Sequence, residues 1–477
     1  MVHVTPRQLL EITGARHACG PLDRPATGVA IDSRAVQAEN LFVALPGERV
    51  DGNDYACGAL DAGAAAVVMT REPDAAVLDT ADRAGAAVLV SSDAQAFLDA
   101  LAGWWRSRLD CVVVGVTGSS GKTTTKEMVG SVLASRYRTH ITAGNRNSLI
   151  GAPLTILSCP LDAQALVVEM GMDHAGEIAA IARVARPDYG IVTNVGTAHI
   201  GILGSREGIA AAKAELVAAL PPTCAGDRWP SRALLWGEDD FTPWIEREVA
   251  GPCGVEVLRF GTSEGDDARC ISWSFDGSGC ASGVAVLPSG ASMAFCLSIP
   301  GAHNVVDALA AAAVGDLLGV APAAIAEALE AVRPVGMHQS LLKAPGGVTV
   351  LDDSYNANPD SMRRAVDALC ALPADRRVAC LGDMGDLGER CEGLHALVGA
   401  YVAAKPVDVL VAVGPSSRAM AEAARLMGMA PCAVYEAGDA DEAGELLRGL
   451  LAAGDAVLVK ASRTTGLDRT VKAVMGA

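Results

Sequence analysis

A chain of 477 residues is long enough for about two to four domains. Its composition, 51% hydrophobic and 20% charged, excludes a disordered chain and suits a globular one with large cores. A net charge of −18 argues against a nucleic-acid partner, while a local basic pocket could still take a small anionic substrate. No apolar stretch approaches the ~20 residues of a membrane span. The start, MVHVTPRQLLEITG, has no basic region followed by an apolar core, so no signal peptide is expected. The 13 cysteines are odd in number and form no C-x-x-C pair. This predicts a reduced, cytoplasmic compartment and no zinc site.

Residues 1–105 read as a small α/β domain. AIDSRAVQAENLFVALP (Ala30 to Pro46) gives strand, polar turn, strand, and GNDYACGALDAGAAAVV (Gly52 to Val68) gives helix, then strand. Asp32-Ser33-Arg34 follows the first short strand. It reads equally as a turn with a surface arginine or as an anion-binding loop through Ser33 and Arg34.

Residues 106–334 are organised around VVVGVTGSSGKTTTK (Val112 to Lys126). An apolar, β-branched run predicts a strand buried on both faces. It breaks into Gly118, Ser119, Ser120 and Gly121, and a helix is predicted from Thr125 to Leu133. Strand, glycine-rich turn, helix is the phosphate-cradling arrangement. The glycines admit close approach of an anion, and the helix dipole adds roughly half a positive charge. Lys122 can reach the β- and γ-phosphates, the Thr123 hydroxyl can ligate magnesium, and Thr124 continues the cradle. The usual spelling G-x-x-x-x-G-K-[ST] asks for glycine where this chain has Val116. GNRNSLIGAPLTIL (Gly144 to Leu157) follows, then a buried strand ending in Glu169. An acid at the carboxyl end of a strand beside a phosphate loop is where a magnesium-binding group belongs. A further strand, Tyr189 to Val195, leads into Gly196-Thr197-Ala198-His199, and Lys213 lies in the helix-like stretch beyond. On spacing alone His199 reads as a loop histidine and Lys213 as a surface lysine. Pro221 to Ser298 reads as hairpins and loops without chemistry. Gly301-Ala302-His303-Asn304 opens an alanine-rich helix with Asn304 as its N-cap, and a helix from Ala323 to Val332 ends at Arg333-Pro334, a domain boundary.

Residues 335–477 repeat strand and helix, with strands expected at Val348–Leu351, Val378–Leu381, Val409–Val413 and Ala456–Val459. This rhythm predicts a Rossmann-like parallel sheet. Polar clusters DDSYNANP, GDMGDLGE and KASR follow three of these strands, at the ends where such sheets bind ligands.

The stretches DSRAVQAENLFVALPGERVDG, TGSSGKTTTKEM, GNRNSLIGAPLTIL, VVEMGMDHAGEI, GAHNVVDALAAAA, DDSYNANPDSM, LGDMGDLGE and VKASR occur in one order, and together they resemble the Mur ligases of bacterial cell-wall synthesis. GKTTTKEM, GNxN and YNANPDSM resemble the dipeptide-adding branch. The resemblance implies an α/β fold of three domains: the first for the UDP-sugar, a central P-loop domain with a parallel sheet for ATP, and a Rossmann-like third domain that closes. It implies that ATP phosphorylates the carboxylate ending UDP-N-acetylmuramoyl-tripeptide. The amine of D-alanyl-D-alanine then attacks the acyl phosphate. A monomer with ATP and two magnesium ions is expected.

Carried over by position, Lys122, Thr123 and Glu169 would serve the phosphates and the first magnesium, and His199 and Lys213 the second. The family's lysine at Lys213 is carbamylated. An ammonium ~4 Å from Mg²⁺ at an effective dielectric near 20 is repelled by roughly 8 kcal/mol, and a carbamate reverses the sign. Asn304 and Asp353 would touch adenosine. Asn356, Asn358, Lys460, Ser462 and Arg463 would lie at the closed site, with Asn145 and Asn147 of the GNxN segment on the substrate. The chain departs from the family at Ala461 (usually glycine), Asp307 (often asparagine) and His338, where the family carries an arginine after Gly336-Met337. His338 would be a shorter, partly charged catalytic group near pH 7, or Arg333 would substitute for it. Other readings are a diamino-acid-adding Mur ligase, a folylpolyglutamate synthetase, or a nucleotide-binding regulatory protein without turnover.

Overall fold

Continuous apolar runs bounded by glycine and acidic caps dominate the chain, and they form strands buried on both faces. Residues 1–47, 50–224 and 226–476 are described by a computed structural model. The chain folds as two compact units. The first holds residues 1–115, 137–172 and 177–188, and the second residues 116–136, 173–176 and 189–477.

In the first unit Arg16–Cys19, Ala87–Val90, Ala66–Met69, Leu41–Val43 and Val29–Ala30 form a five-stranded sheet in that order. Its first pair is antiparallel and the rest are parallel. The helices beside it start on acids: Asp74 caps Ala75–Ala84, and Asp93 caps Ala94–Arg106. Each cap side chain satisfies helix N–H groups that have no partner within the helix. Trp105 donates its indole N–H to Cys159 O at 2.9 Å, and Gln95 donates to Leu149 O at 2.8 Å. These bonds fasten the N-terminal segment to residues 137–172. Thr139–Ile141 and Ala165–Glu169 pair in parallel there.

In the second unit Tyr189–Val192, Arg232–Trp236 and Glu256–Gly261 are parallel neighbours. They continue into Ala268–Phe275 and then the antiparallel strands Cys280–Val286 and Ser292–Pro300. The hairpin reading of residues 221–298 therefore holds only from Ala268 onward. RALLW is a strand of the central sheet, and short helical turns occupy Thr242–Ile245, Glu246–Ala250 and Gly251–Cys253. The glycine- and serine-rich surroundings hid a short buried strand.

A six-stranded sheet completes this unit, in the order Ser340–Ala344, Val348–Asp352, Asp455–Lys460, Arg376–Gly382, Val409–Val413, Val434–Ala437. All its pairings are parallel except the first. The four expected strands are its centre. The two edge strands were not expected, being short and only partly buried. Its core is aliphatic, built on Val350, Val378, Val411 and Val457. Among the described residues no helix is long and apolar enough to cross a membrane.

Candidate active site

The strand Val112–Thr117 is buried throughout and ends in the turn Gly118–Gly121. A Cβ at position 118 would lie 1.8 Å from Thr193 Oγ1, so only glycine fits. Gly121 is left-handed (φ 82°) and caps a helix that runs Lys122–Ala134, three residues longer at its start than the expected one. Lys122 and Thr123 thus occupy the first helical positions, where unpaired N–H groups and the dipole favour an anion. Val116 lies in the buried strand, so the turn is shorter than the usual spelling.

The loop is clamped from the neighbouring strand. Ser120 donates its N–H to Asn194 Oδ1 at 3.1 Å, and Asn194 Nδ2 and Thr193 Oγ1 donate to Ser120 O at 2.9 and 2.6 Å. Lys122 Nζ donates to Gly118 O at 2.8 Å. From the C-terminal region Asn358 Nδ2 reaches Ser119 O at 3.2 Å, and Arg364 Nη1 donates to Ser120 Oγ at 2.9 Å. Sequence reasoning missed Asn194 and Arg364. Arg364 stands two residues beyond the quoted DDSYNANPDSM.

His199 is left-handed (φ 61°). Its Nδ1 lies 3.4 Å from Asp173 Oδ1 and 3.3 Å from Asp386 Oδ2. Burial holds its pKa below the ordinary value, assisted by Lys122 and Lys213 and opposed by the two carboxylates. Neither acid was singled out from the sequence, although Asp386 lies in the GDMGDLGE cluster. That cluster meets the histidine loop tightly: Gly201 donates its N–H to Asp386 O at 2.8 Å, and a Cβ on Gly201 would lie 2.4 Å from Gly388 N.

Lys213 sits in the helix Arg206–Ala218 and is 2% exposed, which corrects the surface-lysine reading. Burial first, and the Lys122 ammonium second, push its pKa well below the usual lysine value. Lys460 is 3% exposed and has polar partners. Its Nζ contacts Asp353 Oδ2 at 2.6 Å and Asn356 O at 2.8 Å. Burial raises the Asp353 pKa and Lys460 opposes the rise.

The remaining expected residues divide by unit. In the second, Asn304 is not an N-cap. It is buried in the first turn of His303–Leu317, and its Nδ2 donates to Pro300 O at 2.7 Å and Gln339 Oε1 at 3.1 Å. Asn358 caps Pro359–Ala371 in a reciprocal box with Ser361. Asn356 is exposed, with Oδ1 on Ala357 N–H. Ser462 Oγ accepts from Gly385 N–H at 2.7 Å. The Tyr355 ring lies 4.5 Å from His338 and 5.2 Å from the Arg463 guanidinium. His338 and Arg333 line one cleft with Thr123, Thr124, Glu127 and Ile299. Burial, then the cations Lys460, Lys126 and Lys122, push the His338 pKa down to about 4. Ala461 is tolerated because its Cβ faces Gly382.

In the first unit Glu169 is 1% exposed. Its Oε1 accepts from Asn147 Nδ2 at 2.7 Å, and its N–H donates to Thr142 Oγ1 at 3.0 Å. Asn145 is exposed. Ser33 opens a 3₁₀ turn capped by Asp32, and Arg34 is 87% exposed in its side chain with Nη2 2.8 Å from Asp32 Oδ2. That arginine holds the Asp32 pKa down to about 2.

Three family profiles cover most of the chain: "Mur ligase family, catalytic domain" at residues 25–103, "Mur ligase middle domain" at 116–315 and "Mur ligase, glutamate ligase domain" at 337–463. The UDP-N-acetylmuramoyl-tripeptide–D-alanyl-D-alanine ligase of Mycobacterium bovis is 37% identical over 518 aligned positions, covering 100% of this chain and 98% of the relative. Among solved structures, MurF from Acinetobacter baumannii superposes with a TM-score of 0.87 at 30% identity, covering 100% of both chains. MurF ligase from Thermotoga maritima in complex with ADP does so at 0.79 and 26% identity, covering 94% of this chain and 97% of that one. The α/β architecture, the phosphate loop and these full-length similarities lead to one conclusion: the chain belongs to the Mur ligase family.

Proposed function

We propose that the chain is an ATP-dependent ligase of peptidoglycan precursor synthesis, joining D-alanyl-D-alanine to UDP-N-acetylmuramoyl-tripeptide. The observation that carries this reading is the pairing of a phosphate loop with a half-buried imidazole, His199, and a buried amine, Lys213. It occurs in a chain whose full-length relatives bear that ligase's name. The γ-phosphoryl group passes to the tripeptide carboxylate and ADP leaves. The dipeptide amine then attacks the acyl carbon, the amine loses a proton, and the C–O bond to phosphate breaks.

The loop Gly118–Thr124 binds the phosphates, with Lys122 as the cation on the β- and γ-groups. The ADP complex of the Thermotoga relative supports nucleotide binding. Thr123, Glu169, His199 and Lys213 are the residues that would hold magnesium. A buried carboxylate and a half-buried imidazole suit the group, which when bound neutralises phosphate charge. Lys213 fits as a carbamate. Its burial beside Lys122 disfavours the ammonium and leaves the free amine that attacks CO₂. Asn304 and Asp353 hold adenosine, and His338 donates a hydrogen bond as a neutral imidazole. Asn145, Asn147, Asn356, Asn358, Lys460, Ser462 and Arg463 face the substrates, and Ser33 and Arg34 the UDP-sugar. In this reading residues 1–105 bind the UDP-sugar, 106–334 bind ATP, and 335–477 close the site and exclude water from the acyl phosphate. The chain works as a cytoplasmic monomer, where its free cysteines stay reduced.

A panel of acceptors tests the reading: phosphate release with ATP and UDP-N-acetylmuramoyl-tripeptide, plus D-alanyl-D-alanine, meso-diaminopimelate or glutamate. Release should require the tripeptide and D-alanyl-D-alanine together. Release with either other acceptor alone, or without any, would contradict it.

A further inference from the structure

The helix Pro359–Ala371 carries adjacent arginines with different neighbours. Arg363 pairs with Asp360 at 2.6 Å. Arg364 turns to the phosphate loop, with Nη1 2.9 Å from Ser120 Oγ and the guanidinium 5.8 Å from the Trp236 ring centre. Ser120 is the residue that Asn194 grips through its N–H, its hydroxyl and its carbonyl. Arg364 therefore acts on a firmly held point of the loop.

Behind the same loop lies a buried acid. Asp307 is 3% exposed, and its Oδ2 has no hydrogen-bond partner among the described residues. A Cβ on Gly121 would lie 2.8 Å from its Oδ1. Burial pushes its pKa up to about 7, and the Arg364 charge opposes that rise. Asparagine, common at this position in the family, would bring no charge. A carboxylate next to Gly121 opposes any polyanion in the loop unless a cation offsets it, because interactions are weakly screened where water is excluded. The acid at 307 thus gives Arg364 a task that asparagine would not.

We propose that Arg364 is a positioning residue for the phosphate loop, holding the Ser120 hydroxyl and offsetting the charge of Asp307 beside Gly121. The proposal rests on the nucleotide-binding reading of that loop. A double-mutant cycle read by ADP binding in titration calorimetry, with magnesium present, tests it on the full chain. Arg364→Met should weaken ADP binding about tenfold, the loss of a hydrogen-bonded charge. Asp307→Asn should bind ADP at least as tightly as the parent. The double variant should return to within about threefold of Asp307→Asn. An Arg364→Met affinity within about twofold of the parent, or strictly additive effects, would overturn the proposal. Should Arg364→Met not fold, Ser120→Ala removes the same contact from the loop side. It should weaken ADP binding about threefold, and no change there would equally overturn it. Failure of the parent chain itself to bind ADP would instead remove the nucleotide reading, and this proposal with it.

Discussion

Lys213 and Lys460 are almost equally buried in the second unit, and their neighbours differ. Lys460 has a carboxylate at 2.6 Å and a carbonyl at 2.8 Å. The charges nearest Lys213 include another ammonium, Lys122. A buried charge with partners is a fixed structural ion. A buried amine that faces a like charge is driven to its neutral, nucleophilic form. The contrast separates a lysine tied to Asp353 from the one proposed to carry the carbamate.

The strongest way to break the comparison is to remove the like charge that acts on Lys213. Lys122→Ala should abolish ligation, because the loop then offers no cation to the β- and γ-phosphates. Turnover within about tenfold of the parent would contradict this. Next, Lys213→Met should lose at least about a hundredfold in turnover, yet unfold in denaturant at a midpoint no lower than the parent, since an apolar chain replaces an unfavourable buried amine. Lys460→Met should do the opposite to stability. It strands Asp353 and should cost about 3 kcal/mol in urea unfolding, part of which Asp353→Asn restores. Equal stability losses in the two lysine variants would erase the distinction.

The smallest effect concerns His338. Its folded pKa of about 4 lies below the ordinary 6.5. Between those values the unfolded chain binds the extra proton, so this group's contribution to stability is lost as pH falls from about 6.5 to about 4. His338→Gln should flatten the acid side of the stability profile and leave the shape of the turnover profile between pH 6 and 8 unchanged. An inflection in that range that disappears in the variant would return the histidine to the role of a titrating cation.

The sequence carried the framework well where physics is local. The phosphate strand, its glycines and the four central strands of the C-terminal sheet are continuous apolar runs with clear stops. The burial of Lys213 is illegible from spacing alone because its helix places the same alanines around a buried lysine as around an exposed one. Only tertiary packing decides which face is covered. Asp173 and Asp386 converge on His199 from segments far apart in sequence, and no spacing rule reports such a meeting. Asn304 resembled a cap by its position after Gly301, but its amide is used to tie Pro300 to Gln339. Arg364 was missed because it looks like any helix arginine until Ser120 is placed against it.

The contrast between the two lysines is most directly tested by carbon-13 NMR of the protein equilibrated with labelled bicarbonate. A carbamate resonance should appear in the parent and in Lys460→Met, vanish in Lys213→Met, and track activity as CO₂ is removed and returned. A spectrum with no carbamate in an active enzyme, or one that survives Lys213→Met, would contradict the account.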